Sequence, residues 1–422
     1  MRAAGLAGVA AAAIALCVLA PLRYVSGDTT GGRVGGALLR CAGSFDLSRV
    51  DWVHDEKVRG GTFYFIWPDV TGEYTSVFGP APAVIGAVAL ADFGEGATLD
   101  DDTVRRRERA AAAVLLAISA VLLAVACRAR TSWPRALVAS GTAVLSFAGA
   151  ATLGQGLWQA TTALPPLMTG LALVAWRERY PRLALGAPAA LLLAVMLRPP
   201  VVPLALAIAL SWVDRDRKRW LIAAAIALAA VAPLVAWNAI HYWSPFPLGQ
   251  WHANANQSVH VFGAPVGIAG LLVSPGRGLV WFAPVALVGV AARWKSPTAI
   301  GVIMQVVAMA AFFKWHGGLG YGPRLLAEAT WVAIWLACDV RWAVLAPAIA
   351  LTVIVGQLGL WKYQPEQWER RRKPEANHAA FWDVRDNPIF ATLDTIPAGT
   401  PPAYDSPPTA FLRCDHGTVR TR

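Results

Sequence analysis

The chain has 422 residues, of which 56% are hydrophobic and 15% are charged, and its mean hydropathy is +0.47. A single soluble globular domain of this composition would expose too much apolar surface, so that class is excluded. The net charge of +11 is distributed in short basic clusters between apolar runs, which is typical of a multi-pass membrane protein and not of a nucleic-acid-binding face.

Eleven apolar segments are long enough, or nearly long enough, to cross a bilayer as helices. They occupy approximately 3–22, 108–127, 136–153, 160–176, 183–197, 201–213, 220–237, 277–292, 298–314, 324–338 and 343–361. We therefore predict an all-α polytopic membrane protein with about eleven transmembrane helices. The first segment also fits a cleaved signal peptide, but no clear small-x-small site precedes Pro21, so we favour an uncleaved anchor.

The orientation follows from basic residues that occupy alternate connections, because such loops stay in the cytoplasm. These residues are Arg128, Arg130, Arg135, Arg177, Arg179, Arg182, Arg215, Arg217, Lys218, Arg219, Arg293, Lys295 and Arg341. We predict a multi-pass protein of the inner (plasma) membrane with a cytoplasmic N-terminus and an extracytoplasmic C-terminus. A transmembrane domain over 1–361 is then followed by an outer tail at 362–422, with outer loops at 23–107 and 238–276.

The outer segments contain local structure of their own. Residues 79–93 and 264–273 are apolar but short, so we predict interfacial or re-entrant helices there. Aromatic and β-branched residues at 63–67 and 74–78 flank a turn, which predicts a small hairpin in the first outer loop. The polar tail has no strong periodicity, and we expect a loosely structured cap.

A carboxylate, Asp28, follows the first apolar segment where a helix would meet water, and this position alone makes it a functional candidate. Outer-face cations provide possible partners. Arg277 lies in a Ser-Pro-Gly-Arg-Gly string, Lys314 and His316 precede two glycines, and Arg324 ends a Gly-Tyr-Gly-Pro-Arg string. Glycine permits the backbone to approach a ligand closely.

These residues suit transfer of a sugar from a polyprenyl phosphate. Arg277 and Arg324, with Lys314 and His316, would bind the donor phosphate, since guanidinium groups bind phosphate bidentately. Asp28 would deprotonate the acceptor hydroxyl for in-line attack, which is an inverting step without a metal. Two simpler interpretations remain open: Asp28 as a helix cap, and the arginines as interfacial anchors.

Further polar residues could line the same cavity or serve other roles. Arg198 and Tyr321 are cavity candidates, as are Asp51, Asp55 and Glu56, which also fit a solvated surface. The spacing of His, Asp and Glu indicates no metal site, although a divalent metal would be compatible, and the absence of a phosphate-binding loop indicates no nucleotide cofactor. Cys41 and Cys414 both lie in outer polar regions, where they could pair or stay free.

Several short strings occur in an order that resembles the GT-C superfamily of membrane glycosyltransferases. The likeness is to the family 39-like group related to protein mannosyltransferases and aminoarabinose transferases. The strings are Ser26-Gly27-Asp28-Thr29, Leu38-Leu39, Gly43-Ser44-Phe45-Asp46-Leu47, Gly72-Glu73-Tyr74-Thr75-Ser76, Gly79-Pro80, Leu157-Trp158-Gln159, Leu197-Arg198-Pro199, Ser274-Pro275-Gly276-Arg277-Gly278, Trp315-His316-Gly317-Gly318, Tyr321-Gly322-Pro323-Arg324 and Phe381-Trp382-Asp383.

The resemblance implies that Asp28 is the catalytic aspartate of the first outer loop. It also implies undecaprenyl- or dolichyl-phosphate sugars as donors, an outer-face reaction and a first loop whose interfacial helices cover the active site. Two positions depart from the pattern: Ala160 stands where a histidine is expected, and Thr29 replaces a second carboxylate. The outer tail is also too short for a large acceptor-binding domain.

We therefore predict a hexosyl- or pentosyltransferase that uses a polyprenyl-phosphate-linked sugar and a lipid or cell-envelope glycan acceptor, with no nucleic-acid partner. The alternatives are a transporter or lipid-glycan flippase, and a non-catalytic assembly partner. A transporter would be favoured by ionisable residues within the spans. Here the predicted spans are nearly free of charge and the charge lies at their outer ends, which favours chemistry at the surface.

Overall fold

A computed structural model describes residues 2–21, 27–58, 66–69, 71–212, 216–247, 263–312, 314–318, 320–374, 376–393 and 411–421. These ranges are mostly α-helical. In chain order the helices are α1 (Arg2–Leu19), α2 (Gly27–Ala42), α3 (Asp51–Val58), α4 (Ala81–Ala89), α5 (Asp101–Arg128), α6 (Trp133–Leu145), α7 (Gln159–Ala175), α8 (Ala187–Leu197), α9 (Val202–Leu210), α10 (Arg217–Tyr242), α11 (Ala264–Val273), α12 (Leu279–Phe282), α13 (Pro284–Ala292), α14 (Pro297–Ala310), α15 (Ala327–Ala337), α16 (Trp342–Lys362), α17 (Pro365–Arg372) and α18 (Pro388–Ala391).

The predicted apolar segments all contain helices, but most of these helices are short. Within the described residues, α5, α10 and α16 are long and apolar enough to cross a membrane. The eighth predicted segment is divided at Ala283 into α12 and α13, because Pro284 begins the second helix and cannot continue the first. The membrane character of the chain therefore rests on these long helices, and eleven spans remain a prediction.

The helices pack around α5, which contacts α1, α6 and α7, while α15 packs between α13 and α14. Large side chains fill the shared core, among them Phe147, Phe282 and Trp331, which are fully buried. Short 3₁₀ turns continue several of the helices. They are Leu47–Arg49, Leu153–Gln155, Leu183–Gly186, Pro199–Val201, Arg324–Leu326 and His378–Trp382.

The first outer loop is largely helical and carries the predicted hairpin. Strand β1 (Ile66–Pro68) pairs antiparallel with β2 (Tyr74–Ser76), which confirms the hairpin, although residues 63–65 lie outside the described residues. The helices predicted at 79–93 and 264–273 are also present, as α4 and α11. Their interfacial position stays a prediction.

Helix α2 agrees with the interpretation of Asp28 as a residue at the start of a helix, although its glycines make the segment a weak helix former. Tertiary packing explains why it forms. A Cβ added at Gly36 would lie 2.7 Å from the backbone of Gly86 in α4, so glycine is what permits the two helices to approach this closely. Asp28 consequently lies in the first turn of a helix and not in an open loop.

The expectation of a loosely structured tail is wrong for the described part of it. Strand β3 (Thr98–Asp100) of the first outer loop pairs antiparallel with β4 (Phe411–Asp415), which pairs with β5 (Thr418–Arg420). Cys41 and Cys414 form a disulfide with a Cα–Cα distance of 5.6 Å. The end of the tail thus completes a small sheet with the first loop, although this segment alone shows only weak strand patterning.

Candidate active site

Asp28 and Arg324 form an ion pair in which Nη1 lies 3.0 Å from Oδ2. Their side chains are 21% and 14% exposed, so the pair is shielded but can be reached from solvent. Asp28 occupies the first turn of α2, where the helix dipole stabilises a carboxylate. Two of the predicted site residues, from distant parts of the sequence, therefore lie in direct contact.

The guanidinium of Arg324 is held in place by two further contacts. Its Nε donates to the carbonyl of Gly317, and its Cζ lies 4.8 Å from the ring centroid of Trp158, a cation–π distance. Gly317 has φ +79°, and a Cβ at this residue would lie 3.0 Å from Cγ of Arg324. The glycine thus provides both the backbone conformation and the space that the arginine needs.

Arg277 is fully buried and hydrogen-bonds to two other segments of the chain. It donates to the carbonyls of His316 at 2.9 Å and Gly318 at 3.0 Å, and its Nη2 lies 2.5 Å from Oε1 of Glu369. The same Oε1 accepts the backbone N–H of Gly320 at 2.8 Å. Arg277 and Glu369 thus fix the loop that holds Arg324. Binding of a donor phosphate by Arg277 stays a prediction, and burial favours a positioning role.

His316 is buried in the same loop, while the Lys314 side chain is exposed. Burial, followed by the positive charge of Arg277, lowers the pKa of His316 from 6.5 to about 3. Its Nδ1 accepts the N–H of Gly318 at 3.1 Å, as expected of a neutral imidazole. His316 therefore lies beside the site as an uncharged group, and of these two residues Lys314 is the one suited to attract an anion.

Arg198 and Tyr321 lie near the base of Arg324. Nε of Arg198 is 2.5 Å from Oε1 of the buried Glu328, one helical turn after Arg324. The hydroxyl of Tyr321 donates to Val355 at 2.9 Å, and burial raises its pKa above the usual value, so it stays protonated. Tyr321 and Arg324 line one small cavity. The cavity role proposed for Tyr321 thus has a place in the structure, whereas Arg198 is engaged by Glu328.

A buried ion pair lies behind Asp28. Nη1 of Arg33, on α2, is 3.8 Å from Oε2 of Glu108, on α5. Oε1 of Glu108 accepts the N–H of Leu157 at 3.0 Å, next to the Trp158 that stacks on Arg324. Glu108 therefore connects the helix of Asp28 with the residue that supports its partner arginine.

In the acidic stretch of the first loop, the described carboxylate of Asp51 contacts the tail. Asp51 accepts the N–H of Thr421 at 3.0 Å and its hydroxyl at 2.6 Å, and so fastens the tail to α3. Asp55 and Glu56 belong to α3, and their side chains lie outside the described part of the structure. A cavity role for these three residues remains a prediction without structural support.

Apart from Glu95 with the disulfide-bonded Cys41 and Cys414, two groups of described residues have the composition and spacing of a metal site. Asp69, Glu73 and His241 bring ligand atoms within 4.8 Å of one another, and Nδ1 of His241 is 2.5 Å from Oδ2 of Asp69. The second group consists of exposed Glu95 and His416 with half-buried Asp415. Neither group contains Asp28, so a metal at either place would lie apart from the Asp28–Arg324 pair.

Four residues of this site were missed from the sequence, namely Trp158, Glu108, Glu328 and Glu369. The sequence indicated Trp158 only as part of the Leu157-Trp158-Gln159 string, and its contact with Arg324 depends on packing. A signal was available for the glutamates at 108 and 328, because each is an acidic residue at the start of an apolar run. Glu369 lies in a polar segment where nothing distinguishes it.

The fold is similar to that of solved oligosaccharyltransferases from Archaeoglobus fulgidus. The apo form has a TM-score of 0.47 and 14% identity, over 97% of this chain and 62% of that one. The complex with Zn and sulfate has a TM-score of 0.45 and 15% identity, over 96% and 59%. AglB with an inhibitory peptide and a dolichol-phosphate has a TM-score of 0.42 and 13% identity, over 97% and 62%.

The chain thus spans about six tenths of the length of these structures. No family model matches the chain, and no curated protein matches it. The assignment of Asp28 and Arg324 to a site therefore rests on the geometry of this chain alone.

Proposed function

We propose that the chain is a membrane glycosyltransferase that moves a hexosyl or pentosyl group from a polyprenyl phosphate to a lipid or cell-envelope glycan. The observation that carries the proposal is the contact between Asp28 and Arg324. In this proposal Asp28 is the proton acceptor and Arg324 the phosphate-binding group, because lipid-phosphate sugar transfer needs both.

The proposed reaction is a single displacement at the anomeric carbon. Asp28 takes the proton of the acceptor hydroxyl while the acceptor oxygen forms its bond to the sugar. The bond between the sugar and the phosphate breaks, and Arg324 stabilises the negative charge on the departing lipid phosphate. Such a step inverts the anomeric configuration and needs no covalent intermediate.

When the donor binds, its lipid phosphate would replace the carboxylate of Asp28 as the partner of Arg324. The guanidinium is neutralised by Asp28 and supported by Trp158 and Gly317. A lipid phosphate that displaces Asp28 from Arg324 would release the carboxylate to act on the acceptor. Exposed Lys314 supplies additional positive charge at the edge of the site.

The Cys41–Cys414 disulfide supports an extracytoplasmic position for the first loop and the tail, because disulfides persist in oxidising compartments. The proposed location is accordingly the inner (plasma) membrane, with the N-terminus cytoplasmic and the C-terminus outside. A transporter is less well supported. Among the described residues, the buried pairs Arg33–Glu108 and Arg198–Glu328 each involve a glutamate near the beginning of its helix.

The test uses the full chain in nanodiscs with polyprenyl-phosphate hexoses and pentoses and with envelope glycolipid extract as acceptor. Asp28→Asn should reduce transfer by roughly 10²-fold or more, since general-base catalysis contributes about that factor. Asp92→Asn is the matched control, because Asp92 also pairs with an arginine, Arg107, but at an exposed site. Full activity of a folded Asp28→Asn protein, or equal loss in both variants, would refute the assignment.

A further inference from the structure

A second polar site lies on the outer sheet, away from Asp28. A groove of about 640 Å³ opens between α3 and the β4–β5 hairpin. This volume falls in the range of small-molecule and oligosaccharide sites, which is about 300–1,000 Å³. Its lining residues are Ser48, Arg49, Val50, Asp51, His54, Phe411, Arg413, Thr418 and Arg420.

The groove carries positive charge that the described residues do not neutralise. Its one lining carboxylate, Asp51, is occupied by Thr421. Arg420 pairs with Asp415, with Nη2 3.0 Å from Oδ2. In contrast, no carboxylate among the described residues lies within ion-pair distance of Arg49 or Arg413. A planar guanidinium fits a carboxylate or phosphate with two parallel hydrogen bonds, so the lining chemistry suits an anion.

The strand register adds an independent observation. Arg413 on β4 lies directly opposite Arg420 on β5, and both side chains are exposed on the groove face. Like charges in such a cross-strand pair destabilise a sheet. The neighbouring Leu412, Cys414 and Val419 point the other way into the core, as the two-residue period of a strand requires. The sheet therefore places two guanidinium groups side by side, of which Arg420 is offset by Asp415 and Arg413 has no carboxylate among the described residues within ion-pair distance.

The groove is also rigidly assembled. The Cys41–Cys414 disulfide joins β4 to α2, and β3 pairs with β4 along its other edge. Oε1 of Glu95 accepts the N–H of His416 at 2.7 Å in the turn between β4 and β5. A groove fixed in this way loses little conformational entropy when a ligand binds.

Helix α2 connects the groove to the Asp28 site. Asp28 is in its first turn and Cys41 in its last, which separates them by about 20 Å at a rise of 1.5 Å per residue. A small monosaccharide acceptor cannot contact both places. An extended glycan can place its reacting hydroxyl at Asp28 and a more distant anionic group in the groove.

We infer that this groove, lined by Arg49, His54, Arg413 and Arg420, binds a carboxylate- or phosphate-bearing segment of an extended glycan acceptor. The inference rests on the proposed function, which it deepens by naming the acceptor class as an anionic glycan. Phe411 adds an aromatic surface against which a sugar ring can pack. Sugar transfer takes place at the Asp28 site, and the groove holds the acceptor glycan that receives the sugar.

The test measures binding of fluorescent oligogalacturonate, a carboxylate-bearing oligosaccharide, to the full chain in nanodiscs of neutral lipid. Dextran oligosaccharide of equal length is the neutral probe. We expect the anionic probe to bind in a salt-dependent manner and the neutral probe to bind at least tenfold more weakly. Equal binding of both probes would overturn the inference.

Arg49→Gln/Arg413→Gln should weaken binding of the anionic probe at least tenfold, whereas Arg385→Gln, at an exposed arginine of the tail, should not. Because Arg413→Gln removes a like-charge contact, its unfolding temperature should equal or exceed that of the parent. A marked fall in that temperature would show a structural role and overturn the inference. Displacement of the probe by anionic-lipid vesicles but not by neutral ones would assign the groove to lipid headgroups and also overturn it.

Asp28→Asn separates this inference from the proposed function. The variant should retain probe binding while losing transfer, since Asp28 does not line the groove and lies about 20 Å along α2 from Cys41, which is bonded to the groove strand β4. Retained transfer in Asp28→Asn refutes the assigned base without altering the binding result. Unchanged probe binding in the groove variant refutes the acceptor inference and leaves the Asp28–Arg324 reaction intact.

Discussion

Arg324 contacts Asp28 through a 3.0 Å ion pair while its guanidinium also lies over the ring of Trp158. The arginine is therefore preorganised by a carboxylate and by an aromatic surface before any phosphate binds. Preorganised charge is the form of electrostatic stabilisation that contributes most to group transfer. Each of the two contacts can be removed separately.

Arg324→Lys should lower kcat/KM for sugar transfer by roughly 10- to 100-fold, because lysine keeps the charge but loses the planar fork. Trp158→Leu should cause a smaller loss, since a cation–π contact contributes about 0.5–2 kcal/mol. Initial rates of the single and double variants form a double-mutant cycle. If the activation free energy lost in the double variant equals the sum of the losses in the two single variants, Trp158 does not act through Arg324, and the prediction is contradicted.

Gly317→Ala should reduce activity more than stability, because the new Cβ would lie 3.0 Å from Cγ of Arg324 and displace it. Gly43→Ala is the matched control. Gly43 also has a positive φ, +63°, but a Cβ added there would have nothing within 4 Å of it. Each substitution should lower the free energy of unfolding by about 1 kcal/mol, because alanine is strained at a positive φ, and the unfolding temperature measures this loss. Only Gly317→Ala should also reduce sugar transfer. Equal rates in the two variants would contradict the role assigned to Gly317.

Arg277→Met should destabilise the protein by about 3–5 kcal/mol, because it leaves the buried carboxylate of Glu369 without its partner. Arg277→Met/Glu369→Met should regain part of this loss. Arg371→Met, which breaks an exposed pair with Asp386, is the control and should cost less than about 1 kcal/mol. Chemical unfolding in detergent measures these differences. A fully stable Arg277→Met variant with a raised KM for the lipid donor would instead support phosphate binding by Arg277.

Reduction of the Cys41–Cys414 disulfide should lower stability by about 2–4 kcal/mol. The bond joins α2 to β4, so its loss should expose the outer sheet to proteases first. Thermal unfolding with and without reductant measures the effect, and Cys41→Ser/Cys414→Ser provides the control in which reductant changes nothing. An unchanged melting temperature of the parent protein in reductant would contradict a stabilising role.

The free energy of unfolding should fall as the pH decreases from 6.5 towards 3, because the pKa of His316 is lowered from 6.5 to about 3 in the folded protein. Between these values the unfolded state takes up a proton that the folded state excludes. The contribution is at most about 1.4 kcal/mol per pH unit. His316→Asn should flatten this dependence. An identical pH profile for His316→Asn would contradict the assignment.

The sequence indicated most of what depends on local patterning. Apolar runs located the helices, the turn between aromatic runs located β1 and β2, and position alone indicated Asp28 and Arg324. Composition also made the membrane class clear, because the cost of exposing so many apolar side chains to water does not depend on how they pack.

The sequence did not reveal the elements that need distant partners. Helix α2 is rich in glycine and forms against α4, and β4 acquires its strand partner from β3 of the first loop. Glu369 shows no local sign of its role, because its importance comes from Arg277, which is far away in the chain.

By itself, the sequence determined a helical membrane protein with carboxylates and arginines gathered outside its apolar segments. The tertiary structure alone decided which of these charges meet. It paired Asp28 with Arg324, buried Arg277 against Glu369 and placed Arg413 opposite Arg420. The physical reason is that hydrophobic periodicity is encoded in neighbouring residues, whereas the partner of a charge depends on how distant helices and strands pack.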